Sequence, residues 1–251
     1  MRENEMRVLI IIPAYNEAQN IVRVVEHVRA VCPQYDYVVV NDGSADATAA
    51  ICRERGYALI DLPVNLGLAG AFQTGMKYAC RHDYDCAIQF DGDGQHRPEY
   101  IAAMAREIAA GFDIVIGSRF KEKKKPWSLR MLGSRILTMA IRLSSGVHLS
   151  DPTSGMRMFS RSMIEEFALN INYGPEPDTI SFLLKQGAGI EEVQVEMDER
   201  IAGESYLRAF ASAAYMVRML LSIVVIQNFR KRRLPQGAAG SAQARKEGEP
   251  V

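Results

Sequence analysis

Apolar residues in the first half of the chain fall in short β-branched runs separated by segments of helical period. Val8-Leu9-Ile10-Ile11-Ile12 is continuous, as in a strand buried on both faces, and Pro13 ends it. Helix is predicted from about Asn20 to Val31, where Ile21, Val24, Val25 and Val28 share one face. Tyr37–Val40 reads as the second strand, Asp46 opens the next helix, and Tyr57–Ile60 is a third strand. A helix is expected from the Asn65–Gly70 turn to about Arg81, a strand over Cys86–Phe90, a helix over Pro98–Ala110 and a strand over Ile114–Gly117. Strand and helix alternate strictly, which predicts an α/β fold: a parallel sheet covered by helices on both faces.

The second half is less regular. Ser128 and Asp178 are placed to cap helices. Glu191–Glu199 alternates, with Val193, Val195 and Met197 on one face, and reads as a strand. From Tyr206 the polar residues Arg208, Ser212, Tyr215, Arg218 and Ser222 recur along one helical stripe. The remaining positions are mostly apolar, and Arg230-Lys231-Arg232-Arg233 follows. That pattern fits an amphipathic helix at a membrane interface. A spanning helix is a rival, although Arg218 near the bilayer centre costs about 2.5–3.5 kcal/mol. A helix packed on the domain, or on a second copy of the chain in a homo-oligomer, fits as well. Pro235 onward is Gly, Ala, Gln and charge, the composition of a disordered tail. The expected units are therefore residues 1–205, 206–233 and 234–251.

Composition narrows the function. Lysine plus arginine equals aspartate plus glutamate, so no global charge draws the chain to nucleic acid. Cys32, Cys52, Cys80 and Cys86 have no metal-type spacing and read as reduced thiols of a cytoplasmic protein. The first apolar run is too short for a secretory signal, so no cleaved targeting segment is expected. The Gly-x-Gly-x-x-Gly fingerprint is missing after the first strand, which argues against a dinucleotide dehydrogenase. Basic residues are concentrated locally, as Arg119, Lys121, Lys123, Lys124, Lys125, Arg130 and Arg135. They form either a solvated loop or a docking patch for anionic lipid, where each is worth about 1 kcal/mol. Trp127, the only tryptophan, suits the headgroup level or a core position.

Three polar clusters fall at predicted C-terminal strand ends, where ligands of parallel sheets collect: Tyr15-Asn16-Glu17, Asn41-Asp42 and Asp91-Gly92-Asp93. Residues two apart in extended chain point the same way, so Asp91, Asp93 and Gln95 present oxygens to one side. Hard oxygens on a glycine-spaced loop suit Mg²⁺ or Mn²⁺ with positions left for a substrate's phosphates. Taken alone, Asp-Gly-Asp-Gly fits a tight turn equally well. Asp151 lines a sugar pocket, acts as a base, or merely starts a turn before Pro152. His96 points at the site or satisfies the hydrogen bonds of its own loop.

Ile12-Pro13-Ala14-Tyr15-Asn16-Glu17, Asn41-Asp42-Gly43-Ser44, Asn65-Leu66-Gly67, Asp91-Gly92-Asp93-Gly94-Gln95-His96 and Gly117-Ser118-Arg119 resemble the inverting glycosyltransferases of family two, which have the GT-A fold. Asp151-Pro152-Thr153-Ser154-Gly155-Met156-Arg157, and Glu199-Arg200 through Gly203-Glu204-Ser205, are similar to the polyprenyl-phosphate sugar transferase branch. The resemblance runs from about residue 7 to 206. It implies that Pro13, Tyr15, Glu17, Asp42 and Asp91 hold the nucleotide, with Arg200 closing over its diphosphate. It implies a metal on Asp91, Asp93 and Gln95. Arg119 and Ser205 would contact phosphates, and Arg130, one turn into its helix, is the candidate grip on the acceptor phosphate. Tyr206 stands where Lys is common and Met156 where Phe is common.

The reaction so implied is metal-dependent, inverting transfer of a hexose from a nucleotide sugar, a UDP-sugar in the first instance, to polyprenyl phosphate. It would occur at the cytoplasmic face of the membrane, with the protein held peripherally. The alternatives are direct extension of a cell-wall or capsular polysaccharide, and a non-catalytic lipid- or nucleotide-binding module.

Overall fold

The computed structural model describes residues 6–170, 174–198 and 209–225; for residues 129, 130 and 209–214 it describes the backbone alone. Seven strands form one sheet in the order β3-β2-β1-β4-β6-β5-β7. The expected strands appear as β1 (Val8–Ala14), β2 (Asp36–Asn41), β3 (Leu59–Asp61), β4 (Cys86–Gln89), β5 (Ile114–Ser118) and β7 (Ile190–Gln194). The seventh, β6 (Arg157–Ser160), lies between β4 and β5 and runs antiparallel to both. This reversal matters because it brings the start of β6, and the Asp151–Gly155 loop before it, to the edge where β1, β2, β4 and β5 end.

Two apolar layers cover the sheet, and successive strand residues alternate between them. Val8, Ile10 and Ile12 join α1 (Ile21–Val31) and α4 (Ile101–Ala109) on one face, while Cys52 of α2 (Thr48–Glu54) adds to the same layer. Leu9 and Ile11 face α3 (Gly67–Arg81), α5 (Leu129–Ser145), α6 (Arg161–Leu169), α7 (Pro177–Lys185) and α8 (Ala209–Val224) on the other. Ile21, Val24, Val25 and Val28 are buried, as the spacing predicted. Burial pushes the Cys32 thiol up to about 11 and the Cys86 thiol up to about 12, so both stay protonated and inert at neutral pH.

Several local expectations change. Ser128 does cap α5, its Oγ accepting the Met131 N–H at 3.2 Å. Asp178 is not a cap: it sits inside the first turn of α7, for which Glu176 is the capping position. Its carboxylate is used instead to accept the Ser222 hydroxyl of α8 at 2.6 Å. β7 ends at Gln194, because the chain then turns to hydrogen-bond with the Asp91–Gln95 loop.

The helix–sheet contact is tight at Gly75. A Cβ there would meet Ile11 Cγ2 at 2.3 Å, and Ile11 is fully buried. Alanine improves helix propensity by up to about 1 kcal/mol, but overpacking costs about 1–3 kcal/mol. Gly75→Ala is therefore expected to lose about 1–2 kcal/mol net, seen as a lower urea midpoint at unchanged slope.

Candidate active site

Four loops meet at the C-terminal strand edge, and their backbones are tied together. Asn16 adopts φ 55°, a conformation that Asn tolerates, and its side-chain oxygen accepts the Ala45 N–H at 2.9 Å. Ser44 Oγ accepts the Asn16 N–H at 2.9 Å, closing the β1 loop onto the β2 loop. Asp42, 3% exposed, accepts the Leu66 N–H at 2.7 Å and pins the loop before α3. Gly43 makes that approach possible: its φ is +63°, and a Cβ would lie 2.6 Å from the Asn65 nitrogen. Of the other residues expected at the nucleotide, Tyr15 is exposed, Pro13 is buried, and Glu17 is half-buried with its carboxylate accepting from Asn20.

The acidic loop is held by its neighbours. Asp91 Oδ1 accepts the Gln89 amide at 2.9 Å. His96 Nδ1 accepts the Asp91 N–H at 3.0 Å, so a neutral ring carries its proton on Nε2, 3.8 Å from Asp91 Oδ2. His96 thus satisfies its own loop and faces the carboxylate as well. Asp93 is buried, and its Oδ1 accepts the Gln95 N–H at 3.0 Å. Gln95 Nε2 donates to the Asp198 carbonyl at 3.4 Å, which leaves its side-chain oxygen as the available donor to a cation. Asp198 is in turn gripped by Arg97, whose Nε lies 2.9 Å from Oδ1 and holds that carboxyl below its usual range.

The loop before β6 lies directly on this centre. A Cβ on Gly155 would fall 2.6 Å from Asp91 Oδ2, so any larger residue there would displace the Asp91 carboxylate from its present position. Asp151, on the same loop, is fully buried and grips Arg119: Oδ2 accepts Nε at 2.6 Å and the backbone N–H at 3.2 Å, and Oδ1 accepts Nη2 at 2.9 Å. Thr153 Oγ1 adds a fourth donor at 3.2 Å. Four donors fill the carboxylate's lone pairs, so in this arrangement Asp151 has none free to take a proton. Glu192 of β7, also buried, holds the loop from behind by accepting the Ser150 and Asp151 N–H groups at 2.7 and 2.8 Å.

Arg157 is the unexpected member. It is the first residue of β6, opposite Gln89 in register, and 5% exposed. Its Nη2 donates to the Pro152 carbonyl at 2.8 Å, while Nε is buried without a partner. Burial pulls its pKa down, opposed by the nearby Glu176, Asp151 and Asp91 carboxylates. The sequence signals for it were its place at the end of the Asp151–Arg157 motif, to which no role was attached, and a charge inside the apolar stretch Met156–Phe159. Arg200 and Ser205 lie outside the described residues, as does the side chain of Arg130.

Among the described residues no three His, Cys, Asp or Glu side chains gather as a metal site. Asp91, Asp93 and Gln95 supply oxygen donors only. That set fits a hard ion that completes its shell from a substrate's phosphates.

The family described as "Glycosyl transferase family 2" matches residues 9–167, well over half of the chain. The chain belongs to that family. This glycosyltransferase is 31% identical over 213 residues to a polyprenol monophosphomannose synthase of Mycolicibacterium smegmatis, covering 79% of this chain and 80% of the relative. It is 31% identical over 215 residues to an undecaprenyl-phosphate mannosyltransferase of Micrococcus luteus, covering 80% and 87%. Both names belong to the branch that the Asp151–Arg157 motif resembled. Among solved structures, the glycosyltransferase resembles glucosyl-3-phosphoglycerate synthase from Mycobacterium tuberculosis in complex with Mn²⁺, UDP-glucose and phosphoglyceric acid. That match has a TM-score of 0.68 and 17% identity, covering 92% of this chain and 82% of the other. Mannosyl-3-phosphoglycerate synthase from Rubrobacter xylanophilus gives a TM-score of 0.67 at 17% identity, covering 94% and 79%. These likenesses show the expected GT-A fold.

Proposed function

We propose that the protein transfers a hexose from a nucleotide sugar to polyprenyl phosphate, with inversion, at the cytoplasmic face of a membrane. The observation that carries this reading is the Gly155–Asp91 contact. It joins the acidic loop, suited to a metal and a diphosphate, to a loop whose buried Asp151 aims Arg119. Asp91, Asp93 and Gln95 would hold Mg²⁺ or Mn²⁺, which when bound neutralises charge on the departing diphosphate. The named complex of the mycobacterial synthase, with Mn²⁺ and UDP-glucose, supports a UDP-sugar donor. Pro13, Tyr15, Glu17 and Asp42 form the wall for its base and ribose, and Arg200 would close on the diphosphate.

In this reading Arg119 is the phosphate-binding fork, held by Asp151 so that its remaining N–H donors face the acceptor. Arg130 and Ser205 complete the acceptor site. A phosphate acceptor has a second pKa of about 6 and is already mostly anionic at neutral pH. It therefore needs no base, in keeping with an Asp151 whose lone pairs are all engaged. The relatives' names support this acceptor over a growing polysaccharide. The test is a panel of labelled nucleotide sugars with undecaprenyl phosphate, scored for product that partitions into organic solvent. Sugar transferred only to a water-soluble glycan would refute the lipid acceptor.

Membrane contact would come through α5 and α8. Tyr215, in the polar stripe, donates its hydroxyl to Glu176, and Ser222 bonds Asp178, so those positions face the protein. Val217, Leu221 and Val224 of α8 are instead exposed, as are Leu132, Ile136, Met139 and Leu143 of α5. Among the described residues no helix is long and apolar enough to cross a membrane. An exposed apolar face on two packed helices fits peripheral binding. Met139→Glu with Leu221→Glu is expected to abolish sedimentation with phospholipid vesicles while leaving the unfolding midpoint near wild type. Undiminished sedimentation of that variant would refute the assignment of this face.

A further inference from the structure

The polar stripe of α8 leads inward to Arg157. Tyr215 donates its hydroxyl to Glu176, at the capping position of α7, and Ser222 donates to Asp178 one turn away. Burial pushes the Tyr215 hydroxyl up, and the Glu176 carboxylate adds to this, so the phenol stays protonated and remains a donor. Glu176 acts on the Arg157 guanidinium more strongly than Asp151 or Asp91 does. Residues two apart in a strand share a face, so Arg157 points with Phe159 into the layer of α3 and α5–α8. Opposed residues of an antiparallel pair also share a face, and the one opposite Arg157 is Gln89, whose amide donates to Asp91 Oδ1 at 2.9 Å. Arg157 Nη2 holds the carbonyl of Pro152, next to Asp151, at 2.8 Å. One buried cation thus stands between α8 and both loops of the site.

At 5% exposure Arg157 is too enclosed to grip a substrate, so it acts through its neighbours. Its charge has to be matched, because an unmatched buried charge is strongly destabilising. Asp151 is already matched by Arg119. Asp91 helps to match Arg157, but a divalent ion on Asp91 and Asp93 would engage both of those carboxylates. Glu176 is then the counter-charge left to Arg157, since the reading above gives it no ligand to hold. Where that carboxylate sits is set by a hydroxyl of α8. Without Glu176, the Arg157 charge would bear on the ion and oppose its binding.

We propose that Arg157, Glu176 and Tyr215 are positioning residues, a relay through which α8 sets the affinity of the Asp91–Asp93 loop for its divalent ion. This rests on the metal role given to that loop above and deepens it. The buried side of α8 then belongs to the wall of the active site, while its exposed apolar side is the one assigned to the membrane.

The test is calorimetric titration of Mn²⁺ into full-length wild type and variants, with urea unfolding beside it. Glu176→Gln keeps the shape and removes the charge, and should weaken Mn²⁺ binding about tenfold, the lower end for residues that lie behind a metal's ligands. Tyr215→Phe should weaken it less, about threefold, because the carboxylate remains and loses only a hydrogen bond. In an Arg157→Met background, adding Glu176→Gln should change the affinity by no more than about twofold, since the charge that Glu176 matches is gone. The two single variants at Glu176 and Tyr215 decide the matter if Arg157→Met does not fold. Unchanged Mn²⁺ affinity in Glu176→Gln, whatever its urea midpoint, would show that the cluster only stabilises the fold and would overturn the proposal. An undiminished effect of Glu176→Gln in the Arg157→Met background would overturn it too. In both cases wild type still binds Mn²⁺ and the metal role of the loop stands. Wild type that binds no Mn²⁺, even with saturating UDP or GDP, would sink both.

Discussion

Asp93→Ala is expected to lower sugar transfer by about 10³-fold or more, and added Mn²⁺ should not restore it. The metal's stabilisation of the leaving diphosphate is worth several kcal/mol, and each 1.36 kcal/mol is a factor of ten in rate. Asp93 is buried and its Oδ1 accepts the Gln95 N–H, so its carboxylate is already held in place by its own loop. Folding should survive, because the loop lies at the sheet edge rather than between the two apolar layers. The measurement is steady-state turnover across a Mn²⁺ series, with circular dichroism as the folding control. Wild-type turnover in Asp93→Ala would remove this residue from the chemistry.

The second large effect is expected at the Arg119–Asp151 pair. Asp151→Asn leaves a buried amide facing a guanidinium that had two carboxylate oxygens, and breaking such a pair costs about 3–5 kcal/mol. Arg119 is partly exposed, so the lower end applies to stability. Separately, a fork no longer aimed at the acceptor is expected to lose about 10²-fold in kcat/KM, about 2.7 kcal/mol of transition-state stabilisation. The loss should appear mainly as a raised KM for the lipid acceptor, with affinity for the nucleotide sugar unchanged. Arg119→Lys, which cannot make the bidentate contact, should lose a similar amount. The double variant should be little worse than either single one, because the two side chains act as one unit. A general base would behave differently. Its removal would flatten the acidic limb of the pH–rate profile and lower kcat with acceptor KM intact; that result would reinstate Asp151 as a base.

How much of this was legible in the sequence follows from the range of the interactions. β1, β2, β4 and β5 announce themselves as β-branched runs, and α1 and α3 as periodic segments, because burial on a fixed face is a local pattern. The clusters Tyr15–Glu17, Asn41-Asp42 and Asp91–Asp93 were legible for the same reason, as polar residues at the ends of such runs. β6 was not legible: its four residues, Arg157–Ser160, include a charged and a hydroxyl side chain, and only pairing with β4 and β5 makes them a strand. The partners that finish the site are equally distant. Glu192 holds Asp151 across 41 residues and Asp198 meets Gln95 across 103, and no local spacing encodes either contact. The polar stripe of α8 shows a different limit. Its period was correct, but whether the stripe met a membrane interface or the domain was not encoded: Tyr215 and Ser222 bond the carboxylates of Glu176 and Asp178 at the start of α7, a choice that only the packing partner decides.

The most direct test of the account is a calorimetric titration of Mn²⁺ into the full-length protein, alone and with saturating UDP or GDP. Cooperative binding is predicted, with Mn²⁺ and one of the two nucleotides each tightening the other's affinity by the same factor, and with the coupling lost in Asp91→Asn. Nucleotide binding of equal affinity with Mn²⁺ or with a chelator, unchanged by that substitution, would contradict it.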